Sequence, residues 1–201
     1  MRDRKQALRA RVTLQRESLS PAELHAWSRL IQQKVLEFPF YLNAQIVALY
    51  SSFGNEVLTT AISEHALQSG KAVFYPRIVR AGSVELIRVV SREALRPSSY
   101  GILEPTDGPT ITPQELQSGL VFVPGVAFDL SGGRLGRGHG AYDRLLVQWE
   151  DQPKLVALAY EFQIVDKVPT DERDRRVHYI ITERRVVNCL DAEPASLNRT
   201  W

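Results

Sequence analysis

The sequence predicts an α/β fold with a mostly parallel central sheet flanked by helices. Short, continuous apolar runs alternate along the chain with segments that have the apolar spacing of helices. Runs such as IVALYS (46–51) and LVFVP (120–124) carry no polar face, which is typical of strands buried on both sides. At 201 residues the chain has the length of one domain, and it can bury enough surface to need no disulfide or metal. We therefore expect a single domain over residues 1–201.

Residues 1–40 predict a helical arm made of two helices. In the first helix, Leu8, Val12 and Leu14 are spaced for one face among basic residues. The run Ser20-Pro21-Ala22-Glu23 has the pattern of a capping box, with proline at the first helical position. The second helix follows and ends near Pro39. Its apolar stripe consists of Leu24, Trp27, Leu30, Ile31, Val35 and Leu36.

Beyond residue 45, predicted strands and helices alternate. The run 46–51 predicts a strand, and VELIRVV (84–90) alternates in polarity and predicts a strand with one wet face. The stretch 91–119 is rich in proline, serine and glycine and predicts a surface loop. The other expected elements are a helix over 59–71 closed by Gly70, a strand over 72–76, a strand over 120–124, a helix over 141–150, and strands over 155–160 and 178–183.

Charge and cysteine content exclude some classes of protein. A net charge of +2 is too small to indicate nucleic-acid binding by itself. Cys189 is the only cysteine, which excludes an intramolecular disulfide and fits a reducing cytosol. The sequence has no run of 18 apolar residues and no secretory-type apolar start. We expect a cytoplasmic monomer with small-molecule partners and with no nucleic-acid or membrane partner.

Glycine and positive charge are concentrated in GGRLGRGHGAYDR (132–144). Half of the 12 glycines lie between positions 125 and 140, directly after the predicted strand 120–124. Ligands of open α/β sheets bind beyond the carboxyl ends of strands, where glycine lets backbone N–H groups approach an anion. Arg134 and Arg137 add full positive charges, although neither the P-loop pattern nor the dinucleotide fingerprint is present. The pattern favours a phosphate-binding loop; the alternative is a tight strand-to-helix turn with incidental arginines.

The run PGVAFDLSGGRLGRGHGAYDR (124–144) resembles the signature of the 5-formyltetrahydrofolate cyclo-ligase family, also called 5,10-methenyltetrahydrofolate synthetases. Five further segments match elements of that family in the same order: KQALR (5–9), GNEVLT (54–59), FYPRI (74–78), YGILEP (100–105) and VPTDERD (168–174). The resemblance implies a fold similar to the NagB/RpiA/CoA-transferase-like class. It also implies ATP- and magnesium-dependent cyclisation of 5-formyltetrahydrofolate to 5,10-methenyltetrahydrofolate, with release of ADP and phosphate.

The chemistry implied by the resemblance needs no protein nucleophile. The formyl oxygen attacks the γ-phosphate of ATP to give an N5-iminium phosphate, N10 then closes the ring, and phosphate leaves. Such a reaction depends on positioning and on stabilisation of charge. This fits a sequence in which we identify no serine–histidine–acid constellation.

The resemblance assigns the nucleotide contacts to two segments. Lys5 and Arg9 match ATP-binding residues, and their spacing of four places them on one helical face; the alternative is a solvated basic helix. The glycine-rich loop matches the rest of the ATP site, and the resemblance implies that its part from Arg137 to Ala141 also faces folate. Arg134, Arg137 and Tyr142 are the expected catalytic residues. The loop residues expected at ATP are Arg134, Leu135, Gly136, Arg137, Gly138, His139, Gly140, Ala141 and Tyr142.

The folate contacts and the magnesium ligands follow from the same resemblance. Glu56 matches a carboxylate suited to N–H groups of the pterin; the alternative is an acid at a helix N-terminus. Ser51 and Tyr100 are expected either as pocket walls or as packing residues. Asp143 and Asp174 are the expected magnesium ligands, because a magnesium ion at phosphates takes one or two carboxylates. Asp171 and Glu172 are alternatives to Asp174.

Three positions depart from the family pattern. Ala141 replaces the first residue of a common tyrosine pair, so one aromatic wall is missing. His139 stands where relatives carry lysine or glycine, and His178 stands where an aspartate is common. These departures keep two alternatives open. A sugar-phosphate isomerase on the same scaffold would not require Lys5 and Arg9, and a non-catalytic nucleotide- or RNA-binding paralogue would show steep salt dependence without turnover.

Overall fold

The structure is a computed structural model that describes residues 1–79, 83–98, 101–138, 140–147, 153–170 and 174–191. The α-helices in these ranges are α1 (Arg2–Glu17), α2 (Pro21–Leu36), α3 (Pro39–Asn43), α4 (Thr60–Gln68), α5 (Pro113–Leu116) and α6 (Ala141–Val147), and two short 3-10 helices span Arg92–Ala94 and Glu161–Gln163. The strands are β1 (Ile46–Ala48), β2 (Ala72–Ile78), β3 (Val84–Val89), β4 (Leu95–Pro97), β5 (Leu103–Pro105), β6 (Leu120–Val123), β7 (Ala127–Phe128), β8 (Arg134–Leu135), β9 (Lys154–Leu158), β10 (Tyr179–Ile181) and β11 (Val186–Asn188).

The main sheet has the strand order β11-β10-β9-β6-β1-β2-β3. Its central strands are parallel, whereas β3 and β11 pair antiparallel at the two edges, which confirms the predicted mostly parallel sheet. The chain passes from β1 to β2 on one side and later places β6 on the other side of β1. The direction of winding therefore reverses between β1 and β6. Ligands of open α/β sheets bind beyond the carboxyl ends of the strands at such a switch point.

Helices cover both faces of this sheet. On one face, Ile31 of α2 and Ile62 of α4 pack with Val47 of β1. On the other face, Leu116 of α5 and Leu145 of α6 pack with Val121 of β6. Successive residues of the central strands thus point into two separate cores, which explains why these strands are continuous apolar runs.

The two N-terminal helices are packed into the domain. The predicted capping box is present at α2, where the Ser20 hydroxyl accepts from the Glu23 N–H and the Glu23 carboxylate accepts from the Ser20 N–H. Val12 of α1 is 1% exposed and packs in a third cluster with residues of β7 and β8. Leu14 is 70% exposed, so the prediction that it shares the buried face was wrong. Two residues of helix rotate a side chain by about 200°, away from Val12.

The stretch 91–119, predicted as loop, contains regular structure. β4 and β5 form an antiparallel pair, and α5 begins at a capping box in which Thr112 is the N-cap. Strands of three residues at a domain edge carry too few side chains to show a period, which is why the sequence gives no sign of them. Among the described helices, none is long and apolar enough to cross a membrane.

Candidate active site

Two loops meet beyond the switch point of the sheet. One follows β1, spans residues 49–59 and carries Glu56; the other follows β6, spans residues 124–140 and holds the glycines. An Nη atom of Arg137 in the second loop lies 2.8 Å from the Glu56 carboxylate in the first. α1 contacts the second loop, because the Arg9 Nε–H donates to the carbonyl of Gly136 at 2.8 Å. The structure thus brings Arg9, Arg137 and Glu56 to one place, as expected for a shared site.

The first half of the glycine-rich loop is a hairpin formed by β7 and β8. The buried Asp129 carboxylate accepts backbone N–H groups of Ser131, Gly133 and Val168 at 2.8–3.0 Å. Gly132 has a φ of +81°, and a side chain there would collide with the carbonyl of Val177. A side chain on Gly133 would collide with the Asp129 carboxylate. Packing therefore requires these two glycines, so the tight-turn interpretation applies to this half of the loop.

The second half of the loop is open toward α1. The atoms nearest to a Cβ on Gly138 would be those of the Arg9 guanidinium, at 3.6–3.9 Å, and Gly138 has a φ of +105°. Arg134 is buried beneath Gly136, where a Cβ would lie 3.2 Å from one of its Nη atoms. Two guanidinium groups therefore flank the backbone from 136 to 138. Positive charge beside glycine backbone is the arrangement that anions bind.

Gly132→Ala is expected to destabilise the protein more than the matched change Gly136→Ala, where the Cβ would meet only the end of the Arg134 side chain, at 3.2 Å. Alanine at 132 must adopt a strained backbone and displace a carbonyl group, which costs at least about 1–3 kcal/mol. A 201-residue domain should then lose roughly 2–12 °C in Tm, measured by circular dichroism. Equal Tm values for the two variants would contradict the division of the loop into a packed half and an open half.

Glu56 is a buried carboxylate with defined partners. One of its oxygens accepts the backbone N–H of Phe53 at 3.1 Å, and the other pairs with Arg137. Burial raises the pKa of Glu56; the Arg137 guanidinium, the Phe53 N–H and the Arg16 guanidinium each lower it and offset part of that rise. α4 begins only at Thr60, and the carboxylate bonds within its own loop. This geometry does not support the alternative that Glu56 is a helix N-terminal acid.

Arg137 is held against the loop that carries Glu56. It donates to the carbonyl of Phe53 at 3.2 Å, and its guanidinium carbon lies 4.8 Å from the centre of the Phe53 ring. Ser51 in the same loop donates to the carbonyl of Leu103 and so joins the loop to β5. Tyr100 and His139, predicted at this site, lie outside the described residues.

Tyr142 lies at the start of α6, close to the charged groups of the site. Burial, followed by the Glu56 carboxylate, raises the pKa of Tyr142, while Arg134 and Arg137 act in the opposite direction. The three residues predicted as catalytic, Arg134, Arg137 and Tyr142, thus lie within electrostatic range of one another. α6 itself begins after Gly140, whose carbonyl accepts the Arg144 N–H at 3.0 Å.

Lys5 and Asp174 form an ion pair at the other end of the site. Their charged atoms are 2.8 Å apart, and both side chains are more than four-fifths buried, at 17% and 18% exposure. Asp143 lies in the first turn of α6, and its side chain, like Asp171 and Glu172, is outside the described part of the chain. The described residues contain no group of three or more potential metal-ligating side chains. Asp143 and Asp174 stay the predicted magnesium ligands, because magnesium held against a triphosphate needs only one or two carboxylates.

Arg16 is a buried residue near this site that the sequence did not predict. This residue is 7% exposed, and in the described structure its Nε and one Nη have no hydrogen-bond partner. A signal was available, because Lys5, Arg9, Val12 and Arg16 recur at intervals of four, three and four residues, the spacing of one helical face. Arg16 was not recognised because the basic residues of α1 were interpreted as its solvent-exposed face.

The departure at His178 has a structural role. Its Nδ1 accepts the backbone N–H of Leu155 at 2.9 Å, which links the segment before β10 to β9. Burial, followed by the charge of Lys154, lowers the pKa of His178. A neutral imidazole is the form that accepts this hydrogen bond, so His178 acts in packing at this position.

Comparisons with known proteins show which family and which solved structures the chain is similar to. The model of the 5-formyltetrahydrofolate cyclo-ligase family matches residues 1–183. A 5-formyltetrahydrofolate cyclo-ligase of Mus musculus is 34% identical over 190 residues, covering 89% of this chain and 93% of the relative. One of Haemophilus influenzae is 30% identical over 176 residues, covering 85% and 93%.

Two solved structures are also similar. The NMR structure of the 5,10-methenyltetrahydrofolate synthetase of Aquifex aeolicus matches with a TM-score of 0.82 and 33% identity over 97% of each chain. The 5,10-methenyltetrahydrofolate synthetase of Mycoplasma pneumoniae matches with a TM-score of 0.72 and 26% identity, covering 89% of this chain and 98% of the other.

Proposed function

The chain belongs to the 5-formyltetrahydrofolate cyclo-ligase family, and we propose that it uses Mg-ATP to cyclise 5-formyltetrahydrofolate in the cleft beyond β1 and β6. It is a ligase of folate one-carbon metabolism. The contact between Arg137 and Glu56 is the main support for locating the reaction in this cleft, because it joins the open half of the glycine loop to a buried carboxylate. These similarities do not favour the sugar-phosphate isomerase or the non-catalytic paralogue.

Positive side chains and glycine backbone bind the triphosphate in this proposal. Arg9 and Arg134 flank the loop from 136 to 138, and their forked donors match phosphate oxygens. Lys5 lies one helical turn before Arg9 and supplies a third charge. α1 is fixed over the loop by Val12, so its two basic residues are positioned before ATP arrives.

Glu56 binds the folate in this proposal. An ionised carboxylate only accepts hydrogen bonds, and the pterin presents N–H groups to it. Arg137 lies between Glu56 and the open half of the glycine loop, so it can face both substrates. A buried carboxylate without hydrogen-bonding partners is costly, which makes the site selective for a ligand that supplies donors.

The reaction places the formyl oxygen of the folate against the γ-phosphorus of ATP. As the new O–P bond forms, the bond to ADP breaks and the N5 lone pair shifts to give an N5-iminium phosphate. N10 then attacks the formyl carbon, loses its proton, and phosphate leaves. Arg134 and Arg137 stabilise the charge on the transferred phosphoryl oxygens. When bound, magnesium neutralises further phosphate charge, and Asp174 with Asp143 are the residues that would hold it.

Turnover of 5-formyltetrahydrofolate, followed by the absorbance of the methenyl product, tests this function. We expect product with Mg-ATP and none when ATP is omitted or replaced by ADP. Absence of product with Mg-ATP, or equal rates with and without ATP, would refute the proposal. Turnover of a sugar phosphate without ATP would instead favour the isomerase.

Lys5→Met and Arg9→Met are each expected to raise the KM for ATP by about 10-fold or more. Each removes a charged hydrogen bond to phosphate, worth about 1.5–3 kcal/mol. Initial rates over a range of ATP concentrations measure the change, and exposed Arg4→Met on the same helix is the matched control. Point substitutions are preferable to deletion of residues 1–12, which removes Val12 from its cluster. An unchanged KM for ATP in both variants would exclude this role of α1.

A further inference from the structure

Arg16 is a buried charged side chain whose hydrogen bonds are incomplete. Its Nε and one Nη are buried and have no hydrogen-bond partner in the described structure. Buried polar groups in proteins are usually hydrogen-bonded, and buried charges are usually paired, because an unsatisfied group costs free energy. Arginine stays protonated even where burial lowers its pKa, as it does here. The fold therefore keeps a positive charge at this place despite the cost.

The groups around Arg16 indicate what this charge acts on. In the described structure, the titratable and charged groups that interact with it are Glu56, Arg137, Tyr50 and Tyr160. The Tyr50 hydroxyl donates to the carbonyl of Val57, and the Tyr160 hydroxyl shares a hydrogen bond with Ser28. Both tyrosines are neutral, since burial raises the pKa of each. Glu56 is thus the anionic group of this set.

The backbone fixes Arg16 next to the loop of Glu56. The Asn55 side chain donates to the carbonyl of Arg16 at 3.1 Å, so the last turn of α1 is attached to the residue that precedes Glu56. Arg137 pairs with Glu56 from the glycine loop. Glu56 therefore has two cations near it, one on the loop that would bind phosphate and one on the helix.

The two cations have different freedom. Arg137 is about one-third exposed and lies beside the open half of the glycine loop, so a triphosphate can attract it away from Glu56. Arg16 is enclosed and cannot follow the phosphate. Without a remaining cation, burial favours the protonated form of Glu56, which has less acceptor capacity toward the pterin.

We propose that Arg16 is a positioning residue that keeps Glu56 ionised and directed at the pterin when Arg137 turns to the phosphates. The proposal rests on the proposed function and adds a residue to the folate side of that site. α1 then carries Lys5 and Arg9 for ATP and Arg16 for folate on one face. At 1.5 Å per residue, Lys5 and Arg16 are about 16 Å apart along the helix axis. A single rigid helix thereby links the two substrate sites.

The pH dependence of folate use gives the direct test. Removing the Arg16 charge raises the pKa of Glu56 further above its ordinary value, so the acid limb of kcat/KM for 5-formyltetrahydrofolate moves to higher pH. We expect Arg16→Gln to raise the KM for folate by about 10-fold or more on that limb, and to change the KM for ATP by less than about twofold. Arg16→Lys, which keeps the charge, should retain a limb close to that of the wild type. Exposed Arg11→Gln on the same helix is the control.

A structural role of Arg16 would give different results. Arg16→Gln would then lower Tm and kcat without moving the limb, and it would act equally in a Glu56→Gln background. Our proposal requires that its effect on the KM for folate disappears in that background, as in a double-mutant cycle. A limb at the wild-type position in Arg16→Gln, or an undiminished effect in the double variant, would overturn it.

Titration of the Glu56 carboxyl by NMR, with carbon-13-labelled glutamate, tests the same coupling without turnover. Arg16→Gln should raise the pKa of Glu56, and should raise it more in an Arg137→Met background, which imitates an Arg137 that has turned away. Equal titration curves with and without Arg16 would overturn the proposal. If the wild type makes no product with Mg-ATP, the proposed function fails, and this titration still decides whether Arg16 controls Glu56.

Discussion

Glu56→Gln is expected to lower kcat/KM for 5-formyltetrahydrofolate by about 10²- to 10³-fold and to leave the KM for ATP within about twofold. Glutamine has nearly the same shape, but its amide presents donors where the carboxylate only accepts. Two charged hydrogen bonds to the pterin, each worth about 1.5–3 kcal/mol, account for a loss of this size. Steady-state kinetics with each substrate varied in turn measure both constants. Exposed Glu64→Gln is the matched control.

The stability of Glu56→Gln distinguishes a functional carboxylate from a structural one. Burial raises the pKa of Glu56, so between its ordinary and its raised pKa the folded state binds more protons than the unfolded state. The contribution of Glu56 to the free energy of unfolding must then fall as pH rises through that window. In urea unfolding, the free energy of unfolding of the wild type relative to that of Glu56→Gln should therefore decrease as pH rises. A variant that loses Tm and activity together, without this difference in pH profile, would contradict the role in substrate binding.

Sequence patterns predicted the central strands well and the small edge elements poorly. β1 and β6 are buried on both faces, so every residue in them is apolar and the runs are visible in the sequence. β7 and β8 have two residues each, and their hydrogen bonds are set by Asp129 and by the residues they pack against. No local pattern encodes such a hairpin. The sequence therefore predicted one continuous glycine-rich loop, whereas half of that loop is the hairpin of β7 and β8.

The candidate site was also predicted only in part. Motif resemblance indicated Glu56 and the glycine loop separately, but their contact depends on β1 and β6 being neighbours in the sheet. That pairing joins distant segments and has no signature in either one. Arg16 was missed for another reason. Apolar spacing identifies only the apolar residues of a buried face. The buried residues of α1 are Val12 and Arg16, so the spacing could not indicate Arg16.

Like the ion pair between Arg137 and Glu56, the ion pair between Lys5 and Asp174 would change partners when ATP binds. Lys5 is proposed to contact the triphosphate, yet its ammonium lies 2.8 Å from the Asp174 carboxylate. When Lys5 turns to a phosphate, the Asp174 carboxylate no longer pairs with Lys5 and lies close to that anion. Two negative groups at such a distance repel strongly inside a protein. A cation between them removes the repulsion, and magnesium prefers the oxygen ligands that both groups offer.

Asp174→Asn is therefore expected to lower turnover with Mg-ATP by roughly 10²-fold or more, on the scale of losing one strong electrostatic contact in the transition state. Asparagine keeps the size and hydrogen-bonding capacity of the side chain but removes its charge, so metal-free ATP should bind the variant as well as the wild type or better. Initial rates of methenyl product formation measure turnover, and calorimetric titration of ATP, in EDTA and in magnesium, measures ATP binding. Asp143→Asn should behave in the same way, and exposed Asp166→Asn is the control. If magnesium strengthens ATP binding equally in Asp174→Asn and in the wild type, Asp174 is not a ligand. Its function is then to hold Lys5, and Lys5→Met should abolish any further effect of Asp174→Asn on the KM for ATP.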